Sequence, residues 1–249
     1  LLIEDDEEIR GFLKEYFEKD YKILESGNGK DGLEMSIGHH PDLIISDVMM
    51  PEMDGIELCK NLKTNIKISH IPFILLTAKT TLEHKIEGIE TGADAYISKP
   101  FSIKLLEAQI INLLATRKKL REVFSKKIIV EPGEITITST DEKFIKKALM
   151  LVEEHIDDPE FSVEQLGSAL GLSRSHLHRK LIAITSQPAT EFIRTIRLKR
   201  SAQLLIQSKL TVEEITYKVG FNSASYFTKC FRLHFGMTPS EYIDKHQIN

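Results

Sequence analysis

Short apolar clusters punctuate residues 1–100: Leu1–Ile3, Tyr21–Leu24, Leu43–Ser46, Phe73–Leu76 and Ala93–Ile97. Each is too short for a helix and long enough for a buried strand. Between and after them, apolar residues recur at helical spacing over Glu7–Glu18, Lys30–Ile37, Ile56–Thr64, Leu82–Glu90 and Ile103–Val123. Strand and helix alternate in five βα units. That rhythm predicts an α/β domain, a doubly wound five-stranded parallel sheet with helices on both faces. In such a sheet the chemistry gathers at the carboxyl ends of the strands.

The pattern changes after residue 120. Residues 121–143 carry a basic pair at Lys126-Lys127, a Pro132-Gly133 turn and the alternating run Ile135-Thr-Ile-Thr-Ser139, which reads as a short strand. This segment is taken as a linker between domain 1–120 and domain 144–249. Beyond it every periodicity is helical, and a unit occurs twice. Val163-Glu-Gln-Leu-Gly-Ser-Ala-Leu-Gly171-Leu172 aligns with Val212-Glu-Glu-Ile-Thr-Tyr-Lys-Val-Gly220-Phe221. Leu177 and Leu181 then align with Phe227 and Phe231, and Glu191-Phe192-Ile193 with Glu241-Tyr242-Ile243. Each copy reads as helix, turn glycine and second helix, the second helices starting after Ser173 and Asn222. A long helix over Glu191–Ser208 joins the copies.

Within each second helix one stripe is plain core: Leu177, Leu181 and Ile184 in the first, Phe227, Phe231 and Phe235 in the second. The remaining positions offer Arg174, Ser175, His176, His178, Arg179 and Lys180 in the first helix. In the second they offer Ser223, Ser225, Thr228 and Lys229. Arginine, lysine and hydroxyl side chains donate to phosphates and base edges. A single basic helix face is usually just solvated, but two homologous ones behind turn glycines point to double-stranded DNA. His176 and His178 have no second ligand pair to make a metal site.

Charge sharpens the division. The 249 residues carry a formal charge of −4. Residues 1–116 hold 12 Lys+Arg against 21 Asp+Glu, or −9; residues 161–249 hold 12 against 6, or +6. The basic third is the part suited to a polyanion. With 41% hydrophobic and 28% charged residues and no long apolar run, neither a membrane span nor a signal peptide is expected, and the location is read as cytoplasmic. Cys59 and Cys230 fit no metal spacing and are read as reduced core residues. The chain starts inside a strand without an initiator methionine, and is read as a fragment of a longer protein.

Residues of matching chemistry fall at successive strand ends in the first domain. Glu4 and Asp5 follow the first strand, Asp47 closes the third, Thr77 closes the fourth and Lys99 follows the fifth. Alone, each is an ordinary cap, turn or surface residue. Together they suit phosphoryl transfer to a carboxylate. Asp47 can be the nucleophile, and Glu4 and Asp5 can hold Mg²⁺. Lys99 and Thr77 meet the phosphoryl oxygens.

The text Glu4-Asp5, Ser46-Asp47-Val-Met-Met-Pro-Glu-Met-Asp-Gly55, Leu76-Thr77-Ala78 and Tyr96-Ile-Ser-Lys99-Pro-Phe101 resembles the response-regulator receiver family, a flavodoxin-like fold, over residues 1–120. The resemblance implies that Asp47 accepts phosphate from a histidine kinase. It implies that Asp5, Asp47 and the backbone carbonyl of Met49 ligate Mg²⁺, with Glu4 acting through water. It also implies that Thr77 and Tyr96 form a switch. The following Ile9-Arg10 selects Glu4 and Asp5, rather than Asp6, as the acidic pair.

Residues 144–249 resemble the arabinose-regulator (AraC) type of DNA-binding domain. Gly220-Phe221, Tyr226-Phe227, Phe231, Phe235-Gly236, Pro239, Tyr242 and Ile196-Arg197-Leu198 carry the likeness. It implies two recognition helices in successive major-groove segments of one DNA face. The first copy departs from the second in having Ser186 at the place of Gly236, and Pro188-Ala189 at that of Thr238-Pro239. Receiver, linker and AraC-type domain in this order resemble the C-terminal end of hybrid two-component regulators. The expectation is a phosphorylation-controlled transcription regulator that dimerises when phosphorylated, not an independent enzyme, with a histidine kinase, separate or in the same chain, as donor. Three alternatives stand beside it. A small-molecule phosphatase needs a second Asp where Met49 stands. A ligand-sensing first domain would not depend on Asp47, and a dimerising pseudo-receiver would be indifferent to Mg²⁺.

Overall fold

The computed structural model describes residues 1–77, 91–126 and 135–246. The helix expected at Leu82–Glu90 lies outside them. The chain divides into two compact units, Leu1–Lys119 with Ile137–Asp141, and Leu120–Thr136 with Glu142–Asn249.

The first unit holds a parallel sheet of β1 (Leu2–Ile3), β2 (Glu25–Ser26), β3 (Ile44–Asp47), β4 (Phe73–Thr77) and β5 (Ala95–Ser98), in the order β2-β1-β3-β4-β5. Around it run α1 (Glu7–Phe17), α2 (Gly29–His39), α3 (Gly55–Thr64) and the start of α4 (Ile103–Lys126). Strand periodicity divides the apolar residues between two cores. Leu1, Ile3, Ile44, Phe73 and Leu75 pack with Leu58, Cys59 and Leu62 on one face. Leu2, Ile45, Ile74, Leu76 and Ile97 pack with Leu13, Phe17, Leu106 and Ile110 on the other.

Two sequence expectations shift. Tyr21–Leu24 is not the second strand; pairing begins where Leu2 N–H donates to the Leu24 carbonyl and runs through Glu25–Ser26. The partner strand, only Leu2–Ile3, sets that register. Ile135–Ser139 is not a strand either. Thr138 Oγ1 accepts from the Asp141 amide at 3.1 Å, and a helix starts at Ser139.

The second unit is helical: α5 (Ser139–Glu154, its first residues in the other unit), α6 (Val163–Ala169), α7 (Arg174–Thr185), α8 (Ala189–Gln207), α9 (Val212–Lys218), α10 (Ala224–Phe235) and α11 (Pro239–His246). The duplication is visible in local chemistry. Ser162 with Gln165, and Thr211 with Glu214, close reciprocal capping boxes on α6 and α9. The turns that follow use Gly171 at φ 69° and Gly220 at φ 74°. Ser173 caps α7 as expected, whereas the cap of α10 is Ser223, one residue beyond Asn222.

Candidate functional sites: an acidic cleft and two helical faces

The sheet register builds the cleft. Ile3 lies opposite Ser46, Asp47 opposite Leu76, and Thr77 opposite Ser98. Glu4, Asp47, Thr77 and Lys99 therefore line up along the carboxyl edge, and Lys99 N–H donates to the Thr77 carbonyl at 2.7 Å. Glycine holds the floor close: a Cβ on Gly55 would lie 2.1 Å from the Asp47 carbonyl oxygen. Gly55 opens α3 behind Asp54, whose side chain accepts from the Glu57 amide.

Glu4 and Asp47 are buried, while Asp5 is exposed. One carboxylate oxygen from each lies within 4.8 Å of the others. Lys99 Nζ bridges two of them, 2.8 Å from Glu4 Oε2 and 3.0 Å from Asp47 Oδ2. Asp6 is spent elsewhere, capping α1 through the Glu8 and Ile9 amides. Burial holds the Glu4 carboxyl above its ordinary range, with Asp47 and Asp5 adding to the rise and Lys99 opposing it. For Lys99, burial pulls downward, but hydrogen bonds to Glu4 and Asp47 carry the ammonium above its ordinary value. Three crowded carboxylates around one ammonium make a pocket with excess negative charge, the donor set a hard divalent cation prefers.

Thr77 is buried at the end of β4. Tyr96 is half-buried, its hydroxyl 3.1 Å from Thr91 Oγ1. Met49 is 58% exposed at the cleft rim. A second charged network occupies the opposite end of the sheet, where Asp94 meets Lys63 at 2.5 Å and accepts from the Phe73 amide at 2.9 Å.

In the second unit, Ser175, His178 and Arg179 are exposed on α7. Arg174 pairs with Glu164 of α6 at 2.7 Å, and His176 Nδ1 lies 2.8 Å from Ser173 Oγ. Lys180 corrects the sequence reading: it is 0% exposed, with its ammonium 5.3 Å from the Phe144 ring centroid, and it is no DNA contact. The reason is positional, since residue 180 lies three after Leu177 and four before Ile184, on the buried flank of the helix. On α10, Ser225 and Lys229 are exposed and Thr228 is half-buried, while Ser223 is engaged as the cap. Tyr226, half exposed beside them, takes a hydrogen bond from Arg194 at 3.2 Å. In the sequence it stands only as part of the Tyr226-Phe227 motif, and its place one residue before the Phe227 stripe is the signal that it faces outward.

Arg197 of α8 fixes the second turn. Its Nη1 donates to the Gly220 carbonyl at 3.0 Å and its Nη2 to the Asp158 carbonyl. A Cβ on Gly220 would lie 2.5 Å from the Ile156 carbonyl oxygen.

Comparison with known proteins finds a match for each part of the chain. A family model described as "Response regulator receiver domain" matches residues 1–111, and one described as "Helix-turn-helix domain" matches residues 166–245. Histidine kinase P4 of Formosa agariphila is 46% identical over 246 residues, 99% of this chain and 18% of that protein. Response regulator ArlR of Staphylococcus aureus is 32% identical over 152 residues, 57% of this chain and 68% of ArlR. The receiver domain of Francisella response regulator 1452 aligns at TM-score 0.44 and 35% identity, over 46% of this chain and 94% of that one.

Proposed function

We propose, from the premise that this chain belongs to the response-regulator family and joins a receiver to an AraC-type helix-turn-helix domain, that it is a DNA-binding transcription regulator switched by phosphorylation of Asp47. The observation that carries the reading is the shared ammonium: Lys99 Nζ sits within 3.0 Å of both Glu4 and Asp47, beside Asp5.

Asp47 is the acceptor because it closes the central strand β3, with Glu4 and Asp5 on one side of it along the cleft edge and Thr77 and Lys99 on the other. An Asp47 oxygen forms the new P–O bond as the P–N bond of a histidine kinase's phosphohistidine breaks. Asp5, Asp47 and the Met49 carbonyl would hold Mg²⁺, with Glu4 beside them. Bound there, the ion supplies positive charge that offsets the phosphoryl oxygens. The part of this chain's own side chains is to position and to neutralise. Lys99, already paired with Asp47, passes to a phosphoryl oxygen as a compact cation. Thr77 donates to another. Tyr96 responds to the space Thr77 leaves, giving up its tie to Thr91. Phosphorylation shifts the population only as far as these contacts differ between the two states. The phosphorylated chain acts as a homodimer.

The output is carried by α7 and α10. Arg174, Ser175, His176, His178 and Arg179 face one major-groove segment, and Ser223, Ser225, Thr228 and Lys229 the next. The protein is a regulator rather than an independent enzyme. No described helix is long and apolar enough to cross a membrane.

The decisive test is labelling of the full chain by acetyl phosphate in Mg²⁺, wild type against Asp47→Asn. Label is expected on the wild type alone; equal label on the variant removes Asp47 from the acceptor role. Selection of DNA from a random pool, with and without beryllofluoride, reads the second half. A pool that yields no enriched sequence in either state would end the DNA-binding reading.

A further inference from the structure

Helix α4 does not stop where the first unit stops. It runs unbroken from Ile103 to Lys126, and its residues from Leu120 onward belong to the second compact unit. There they meet the first helix-turn-helix copy. Arg121 Nε donates to the Ala183 carbonyl at 2.8 Å. Phe124 is fully buried, and its ring stacks on Phe192 of α8 with centroids 5.5 Å apart and planes 11° apart. Lys199 of α8 closes the site, donating to the Phe124 carbonyl with its ammonium 4.3 Å from the Phe124 ring centroid.

The chemistry of the Ala183 carbonyl gives Arg121 its meaning. Ala183 stands in the last turn of α7, where carbonyls lack partners inside the helix and the helix dipole is negative. The neighbouring Ile182 carbonyl is met by the Ser186 amide at 2.9 Å. The last turn of α7 contains no basic residue of its own, whereas the last turn of α10 contains Arg232 and His234. In the first copy the cation arrives from α4. At the aligned place in the second copy, Leu233 is 78% exposed.

We infer that Arg121, seated by the Phe124–Phe192 stack, is a positioning residue for the first recognition helix. The inference rests on the proposal that α7 reads DNA. A guanidinium on the carboxyl end of α7 sets how that helix is held against α8. Loss of that hold leaves Arg174 and Arg179 on a helix whose seat is altered, while α10, capped from within, is untouched.

The experiment uses the full chain and a DNA sequence enriched from a random pool by the wild type; failure of any sequence to enrich would count against DNA binding itself, not against this inference. Hydroxyl-radical footprints and titrations then compare wild type, Arg121→Ala, Arg121→Lys and Phe124→Leu. Arg121→Ala is expected to weaken binding about tenfold, the scale of one charged hydrogen bond. Protection should be lost over the segment read by α7 and kept over that read by α10. Arg121→Lys should restore most of it, and Phe124→Leu should reproduce the one-sided loss. Wild-type footprints and affinity in both Arg121→Ala and Phe124→Leu would overturn the inference. So would equal loss over both segments together with a lowered melting temperature, which would assign Arg121 to stability alone.

Discussion

The two helix-turn-helix copies share a backbone plan and differ in what holds it. Each opens on a capping box, turns on a glycine of positive φ and ends its second helix on a left-handed residue, Ser186 at φ 60° or Gly236 at φ 76°. The first copy has an interior of Leu166, Leu177, Leu181 and Ile184 with the single aromatic Phe192 at the place of Tyr242, and it takes outside side chains as well: Arg121 and Phe124 from α4, with Lys180 over the Phe144 ring of α5. The second is filled by its own aromatics. Phe231 lies 5.6 Å from Phe227, 4.5 Å from Phe235 and 5.4 Å from Tyr242, centroid to centroid. Duplication conserves the pattern of the backbone and leaves the means of support free.

The largest effect should come from removing the second copy's centre. Phe231 and Leu181 are equivalent and both fully buried. Phe231→Ala should cost about 4 kcal/mol and Leu181→Ala about 3, because the aromatic loses ring contacts as well as area. Denaturant unfolding of the full chain, followed by a probe in the second unit, measures both. A Leu181→Ala cost exceeding that of Phe231→Ala would break the contrast, since it would make the first copy the more tightly organised one.

The next effect concerns the support of the first copy and is read through pH. Burial brings the Lys199 ammonium down from 10.5 to about 8. The unfolded chain therefore binds a proton more readily than the folded one between about pH 8 and 10.5, so stability rises with pH across that window. Below about pH 8 the cost of the buried charge is fully present, on the order of 3 kcal/mol for this shift. Lys199→Met should stabilise the unit at pH 7 by up to that amount and flatten its gain between pH 8 and 10.5. A variant that loses stability at pH 7 would mean that the hydrogen bond to the Phe124 carbonyl and the cation–π contact outweigh desolvation.

Much of this organisation was legible in the chain. Glu4, Asp5, Asp47, Thr77 and Lys99 could be placed together because a parallel sheet sends all its strand ends to one edge, so sequence order alone carries the geometry. The duplicated unit could be read because its turn glycines and core stripes repeat at nearly fixed spacing. What escaped was of two kinds. The strand read at Tyr21–Leu24 moved to Glu25–Ser26, and the run at Ile135–Ser139 opened a helix, because propensity does not specify the partner or the cap that settles such segments. The hold of Arg121 on Ala183 joins residues 62 apart and leaves no periodic trace. Lys180 was different: its place between Leu177 and Ile184 marked the buried flank, and only its charge argued otherwise. Long side chains can lay a charged head on an aromatic ring and still count as core.

The smallest effect is the sharpest on the comparison, because the two C-terminal caps are one geometry with two residues. The Ser186 amide donates to the Ile182 carbonyl at 2.9 Å, and the Gly236 amide to the Arg232 carbonyl at 2.8 Å. A left-handed backbone costs a residue with a Cβ about 1–2 kcal/mol relative to glycine, while glycine gives up about 0.4–1 kcal/mol through its freer unfolded state. Gly236→Ala has open space for the added methyl, so only the backbone opposes it, and a net loss of about 1 kcal/mol is expected. Ser186→Gly relieves the same backbone in the first copy and should gain about 0.5 kcal/mol. Paired thermal melts read both signs. Should Ser186→Gly instead destabilise, the serine hydroxyl must be contributing at the cap, and the first copy would have found its own replacement for the glycine its twin retains.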